Sequence, residues 1–152
     1  MAFLFTNARI VDGTAAERGA PVDVLVEGDR IREVAPKITA QGAEVIDLKG
    51  RTLMPGLIDA HVHTIACLAD LGANAKLPDS LVAVRAMKLL GEMLMRGFTT
   101  VRDLGGADRG LKVAAAEGFL PAPRMVIGGK ALSQTGGHCD FRGPTDDRES
   151  PR

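Results

Sequence analysis

The chain has 152 residues, of which 45% are hydrophobic and 25% charged, an ordinary composition for a globular protein. Its 19 basic and 19 acidic residues cancel, and Trp and Tyr are absent, so a nucleic-acid partner is not expected. No apolar run approaches the roughly 20 residues of a membrane span, so a membrane partner is not expected either. Two cysteines, Cys67 and Cys139, make no disulfide framework and favour reduced thiols in a cytoplasmic protein.

The first third of the chain is predicted to form short strands separated by turns. Alternating apolar residues predict strands at residues 3–11, 22–27, 31–34 and 43–48. Gly28 and Asp29 form a turn signal between the second and third of these strands. The regular spacing of turns favours a small antiparallel β unit.

After Pro55 and Gly56 the pattern changes to strands that alternate with helices. Strands are predicted at residues 57–63, 98–104 and 125–128, and helices at 80–96 and 109–117. Asp79 or Ser80 is the expected N-cap of the first helix, and Asp108 that of the second. Strands and helices in this order predict a parallel sheet.

The segment most informative about chemistry is PGLIDAHVH, residues 55–63. Because side chains alternate along a strand, one face carries Leu57, Asp59, His61 and His63. The other face carries Ile58, Ala60 and Val62, which are expected to pack against helices. The two imidazoles lie about 7 Å apart along the strand and point the same way. Two such side chains can converge on one metal ion, since neutral imidazole is a good ligand for zinc. The alternative is a polar pair with other partners nearby.

This segment resembles the first-strand signature of the amidohydrolase superfamily. The preceding IDLKGRTLMPG, residues 46–56, resembles the end of the flanking β-sandwich half that many of these enzymes carry. RGFTTVRD, residues 96–103, resembles their second barrel strand. KALSQTGGH, residues 130–138, resembles a narrower branch, the imidazolonepropionase-like amidohydrolases that include the Xaa-Pro dipeptidases.

The resemblance implies an α/β fold in which a small β-sandwich half-domain precedes an incomplete (β/α)8 TIM barrel. We expect the sandwich part at residues 1–53, about the first three βα units of the barrel at 54–142, and a loop or frayed tail at 143–152. A complete barrel takes about 250 residues. The chain is therefore expected to be a truncated piece of an amidohydrolase and to be inactive alone.

The resemblance also implies roles for five residues. His61 and His63 would hold the metal, one or two divalent ions with zinc as the first choice, and His138 would face the substrate. Asp59 and Asp103 are candidates to orient a ligand imidazole. For His138 and both aspartates, a purely structural role is the open alternative. The family's further ligands, and the Asp that serves as its general base, are not recognised in this sequence.

The implied activity is hydrolysis of amide or peptide bonds by metal-activated water. A dipeptide with C-terminal proline is the leading substrate, and a homo-oligomer is an open expectation. Two alternatives remain: a cyclic-amide hydrolase of the imidazolonepropionase type, and a non-catalytic remnant or assembly piece.

Overall fold

The computed structural model describes residues 1–14, 19–140, 142–143 and 145. The chain divides into two compact units, Met1–Pro55 and Gly56–Arg152. The tail predicted at residues 143–152 lies outside the described residues, apart from Gly143 and Thr145. Among the described residues, no helix is both long and apolar enough to cross a bilayer.

The first unit is built on a five-stranded sheet. Its strands are β1 (Ala2–Ile10), β2 (Val22–Glu27), β3 (Arg30–Ala35), β4 (Glu44–Asp47) and β5 (Thr52–Leu53). The order is β3-β2-β1-β4, and β5 also pairs with β1. The prediction of an antiparallel unit is wrong for β4 and β5, which both run parallel to β1. Turn spacing gives strand lengths, but it does not show which way the chain returns along the sheet after β3.

The buried carboxylate of Asp23 links this sheet by hydrogen bonds to the connection that follows β3. Leu4, Leu25 and Ile38 form the small apolar cluster of the unit. Asp23 on β2 is only 8% exposed. Its carboxylate accepts the backbone N–H groups of Asn7 at 3.2 Å and Ile38 at 3.1 Å. These two N–H groups therefore compensate for the loss of water around the Asp23 carboxylate.

The second unit alternates strands and helices as predicted. Its elements are β6 (Leu57–Val62), α1 (Leu71–Asn74), α2 (Asp79–Met95), β7 (Phe98–Asp103), α3 (Arg109–Ala116) and β8 (Arg124–Ile127). The strands form a parallel sheet in the order β6-β7-β8. The single-turn helix α1 was not predicted. The core combines buried residues of α2 with Val101, Leu111 and Met125.

The helix ends agree with the prediction at α3 but not at α2. Asp108 caps α3 by accepting the backbone N–H of Leu111 at 2.9 Å. The predicted cap of α2 is wrong, because Asp79 is already helical and Pro78 is the N-cap, without a side-chain hydrogen bond. The carbonyl of Pro78 instead accepts the N–H groups of Leu81 and Val82. Proline fixes the backbone at the start of the helix, but its side chain has no group that could accept the free N–H groups of the first turn.

Strand β6 is irregular where it approaches its C-terminal end. Asp59 pairs with Val101 and Val62 with Asp103, so β6 uses one more residue than β7 over this interval. This is a β-bulge, and it interrupts the strict alternation on which the sequence prediction relied. Val62 packs against the core, but Ile58 is 70% exposed. The expectation that Ile58 packs against helices is therefore wrong within the described residues, where β6 is an edge strand and α2 packs on β7.

Candidate functional site

The side chains of His61 and His63 converge at the C-terminal end of β6. Their Nε2 atoms lie 3.1 Å apart. Their ring centroids are 5.0 Å apart, and the rings meet edge to face at 78°. Both residues are exposed, so the two nitrogens are accessible from outside the sheet. The orientations of the two rings bring nitrogens from two residues of one strand to the same point.

The contact of the His63 Nδ1 atom shows which ring nitrogen of His63 carries the proton. Nδ1 lies 3.3 Å from the carbonyl oxygen of Gly105. A carbonyl can only accept, so Nδ1 carries the proton and donates it. In the neutral ring this leaves a lone pair on Nε2, the atom that faces His61. Histidines that bind metals are commonly fixed in this way by a hydrogen bond from the second nitrogen.

The pair has a separation suited to a single ion. With zinc–nitrogen bonds of about 2.0–2.1 Å, nitrogens 3.1 Å apart subtend about 100° at the metal, close to a tetrahedral angle. In the described part of the chain, no group of three or more His, Cys, Asp or Glu could hold a metal ion. A catalytic zinc site normally has three protein ligands and a water. His61 and His63 therefore fit part of a metal site.

Asp103 is the last residue of β7, and in the part of the chain that the structure describes its hydrogen bonds are to groups other than the two imidazoles. It is fully buried, and Oδ2 accepts both the N–H and the hydroxyl of Thr64, each at 2.7 Å. Oδ1 accepts the N–H groups of Gly105 at 3.0 Å and Ala107 at 3.4 Å. One carboxylate thus joins the loop that follows β6 to the loop that follows β7. The loop after β6 begins with His63, and the loop after β7 contains Gly105, whose carbonyl accepts a hydrogen bond from His63.

Asp59 and Arg102 both bind the backbone beside His61. Asp59 accepts the backbone N–H of His61 at 3.1 Å, so the described contact is with the main chain of His61 and not with its ring. Arg102 was not singled out from the sequence. Its Nε donates to the carbonyl of Ala60 at 2.8 Å. Arg102 could have been identified from the sequence because it immediately precedes Asp103 on a strand predicted to lie beside the His pair.

His138 lies in the loop that follows β8 and is exposed. The loop closes on Asp140, whose carboxylate accepts the backbone N–H of Gly136 at 2.9 Å and pairs with the Arg142 guanidinium at 2.6 Å. The Arg142 hydrogen bonds, followed by the Gly136 N–H, hold the pKa of Asp140 well below its usual value. His138 is thus presented on a locally ordered turn. It is not part of a described metal-binding group with His61 and His63.

Comparison with known proteins assigns the family. The model of the amidohydrolase family matches residues 52–152, about two thirds of the chain. The chain belongs to the amidohydrolase family. Proteins of this family are hydrolases and are generally metal-dependent.

Solved structures of amidohydrolases share the fold of this chain. A crystal structure of an amidohydrolase is 45% identical over 99% of the chain, with a TM-score of 0.89. A prolidase complexed with N-methylphosphonate-L-proline is 43% identical over 98%, with a TM-score of 0.91. A Xaa-Pro dipeptidase with bound methionine is 26% identical over 97%, with a TM-score of 0.79. This chain spans 37% of the length of each of these structures.

Dihydroorotases are also among the relatives of this amidohydrolase. The dihydroorotase of Pediococcus pentosaceus is 36% identical over 71% of the chain, and the match spans 22% of that enzyme. The dihydroorotase of Bacillus thuringiensis is 46% identical over 41% of the chain, spanning 14% of that enzyme.

Replacing Gly105 with alanine should disturb the ring of His63. A Cβ at this position would lie 2.8 Å from Nδ1 and 2.9 Å from Cε1 of His63, closer than real Cβ atoms come, so the ring or the loop must move. We expect the Nδ1 hydrogen bond to be lost and the His63 ring nitrogens to show mixed tautomers by ¹⁵N NMR. Gly19→Ala is the matched control, because a Cβ there meets nothing within 4 Å. Unchanged His63 signals in Gly105→Ala would contradict this reading of the contact.

Proposed function

We propose that this chain provides the first two metal ligands of a metal-dependent hydrolase that cleaves the bond before a C-terminal proline in dipeptides. The observation that carries the proposal is the 3.1 Å separation of the His61 and His63 Nε2 atoms. In the metal-free chain this is the distance of a hydrogen bond between the two rings, and the same separation suits one metal ion bound by both nitrogens. The proton on Nδ1 of His63, held by Gly105, supports the same assignment.

We also propose that β6, β7 and β8 begin a TIM barrel and that residues 1–53 belong to a flanking β-sandwich. The parallel order of the three strands, with connecting helices, supports the barrel. The His pair lies at the C-terminal end of β6, the end at which TIM barrels carry their active sites. On this proposal residues 54–142 are the start of the barrel, and the remaining site residues lie on strands outside this sequence.

In the proposed mechanism this chain holds and orients the metal, with zinc as the first choice because imidazole suits it. When bound, such an ion activates a water molecule and polarises the scissile carbonyl. His63 would offer the lone pair of its Nε2 atom, because Gly105 keeps the ring proton on Nδ1. His61 would offer its Nε2 atom once the metal ion displaces the proton that this atom shares with His63. The group that passes the proton to the leaving amine is not assigned to this chain.

The choice of substrate rests on the extent of similarity. The likeness to a prolidase extends over 98% of the chain at 43% identity, whereas that to the Pediococcus pentosaceus dihydroorotase extends over 71% at 36% identity. We therefore propose Xaa-Pro dipeptides, with His138 contacting the substrate. The dihydroorotase relatives favour opening of a cyclic amide as the second candidate. We further propose that the protein forms a homo-oligomer and that its partner is the dipeptide substrate. The two free cysteines favour a cytoplasmic location.

Removing both imidazoles should eliminate metal and activity together. In the natural protein that carries this sequence, His61→Ala combined with His63→Ala should abolish hydrolysis of an Xaa-Pro dipeptide and deplete bound metal. Metal content by mass spectrometry and proline release would be measured on the same preparations, with dihydroorotate as a parallel substrate. Unchanged turnover would exclude the ligand assignment. Activity of the unsubstituted protein on dihydroorotate but not on dipeptides would favour the second candidate, and inactivity on every amide tested would favour a non-catalytic remnant.

His138→Ala should separate substrate contact from metal binding. Because His138 is exposed on its own loop, we expect its loss to raise KM or lower kcat while the metal content stays constant. The measurement is steady-state kinetics with a dipeptide beside metal analysis. Loss of metal in this variant would instead make His138 a ligand, and unchanged kinetics would remove it from the site.

A further inference from the structure

The bulge in β6 leaves one peptide group to be bound by side chains. This is the peptide that joins Ala60 to His61, in the interval where β6 has an extra residue relative to β7. Its N–H donates to the carboxylate of Asp59 at 3.1 Å, and its carbonyl accepts from Nε of Arg102 at 2.8 Å. Side chains from β6 and β7 thus bind both polar groups of the peptide immediately before the His61 side chain.

The other end of the ligand segment is also bound by β7. Asp103, the residue after Arg102, accepts both the N–H and the hydroxyl of Thr64 at 2.7 Å. Between these two points, the N–H of Leu104 donates to the carbonyl of Val62 at 3.2 Å. The carbonyl of Gly105 then accepts the His63 ring proton. Residues 102–105 therefore contact residues 60, 62, 63 and 64 of this segment.

Arg102 and Asp103 approach this segment from opposite faces of the sheet, because consecutive side chains of β7 alternate. Asp103 is fully buried on the face that packs against helices, whereas Arg102 is exposed. Arg102 fixes the peptide before His61, and Asp103 fixes the residue after His63. A ligand pair must be held to within about 0.5 Å and 10–20° to bind well. A bulge leaves a residue of the strand without its regular ladder partner, so other hydrogen bonds must hold this segment.

We propose that Arg102 and Asp103 are positioning residues that hold His61 and His63 at the separation required by one metal ion. The inference rests on the proposed function, since it assumes that the two histidines are ligands. It assigns to β7 and the loop that follows it a role in metal binding, through backbone contacts and the Nδ1 hydrogen bond of His63 and without direct contact with the ion.

The test uses Arg102, which has one described hydrogen bond to the segment, because variants of Asp103 would lose four hydrogen bonds within the fold. Arg102→Ala and Arg102→Lys would be prepared in the natural protein. Zinc affinity would be measured by competition with a chelator, and the geometry of the site by the visible spectrum of the Co²⁺-loaded protein. We expect Arg102→Ala to bind zinc about 10–100-fold more weakly and to change the Co²⁺ spectrum. Arg102→Lys should restore part of the affinity, because its ammonium can also donate to the Ala60 carbonyl.

Arg124→Ala is the matched control, since Arg124 is an exposed arginine on the neighbouring strand β8. It should leave zinc affinity, the Co²⁺ spectrum and the melting temperature unchanged. Arg102→Ala should also keep its melting temperature, so that weaker metal binding cannot be attributed to unfolding.

Unchanged zinc affinity and an unchanged Co²⁺ spectrum in Arg102→Ala would overturn the positioning role. The double variant of His61 and His63 distinguishes this result from failure of the proposed function. If that variant loses metal while Arg102→Ala retains it, only the positioning role is wrong. If the double variant also retains metal, the proposed function is wrong as well.

Discussion

The hydrogen bond between Nδ1 of His63 and the carbonyl of Gly105 is the interaction on which the candidate site depends. It joins a side chain at the end of β6 to the main chain that follows β7, so it forms only when these two strands are paired. It also determines which nitrogen of His63 is free to accept a metal. The geometry of the candidate site is therefore a consequence of strand pairing.

The pairing is itself supported at two points on the helix-facing side of the sheet. Beneath it, Val101 and Leu90 are fully buried, so β7 is anchored to α2 by apolar contact. At the C-terminal end of β7, the buried carboxylate of Asp103 accepts four hydrogen bonds from the two adjacent loops, in place of bonds to water. A buried charge is tolerated only with such compensation. Apolar packing thus fixes the strand, and the carboxylate fixes the loops that carry the site.

Much of this architecture could be predicted from the sequence, because local periodicity determines it. Strand β2 was predicted with its observed bounds, Val22–Glu27, and α2 and α3 within one residue at each end. The motif at residues 55–63 also identified His61 and His63 as the pair to consider. Each of these inferences uses spacing within one segment, and spacing is preserved whatever the rest of the chain does.

Features that depend on contacts between segments could not be predicted in this way. The parallel direction of β4, the bulge before His61 and the exposure of Ile58 all follow from which strands become neighbours. The contact of Arg102 with the Ala60 carbonyl exists because the bulge leaves that carbonyl available. A prediction from the regular alternation of side chains cannot include this contact, because in a regular strand the Ala60 carbonyl would be bound by the neighbouring backbone. The roles of Asp59 and Asp103 were left open for the same reason, and their contacts are with backbone and hydroxyl groups, not imidazoles.

Anomalous X-ray diffraction at the zinc absorption edge, on crystals of the natural protein with its metal, tests the central claim most directly. The account predicts an anomalous peak at about 2.0–2.1 Å from the Nε2 atoms of both His61 and His63, with Nδ1 of His63 still bonded to Gly105. A peak bonded to neither histidine, or a fully loaded protein in which the two imidazoles contact only each other, would contradict it.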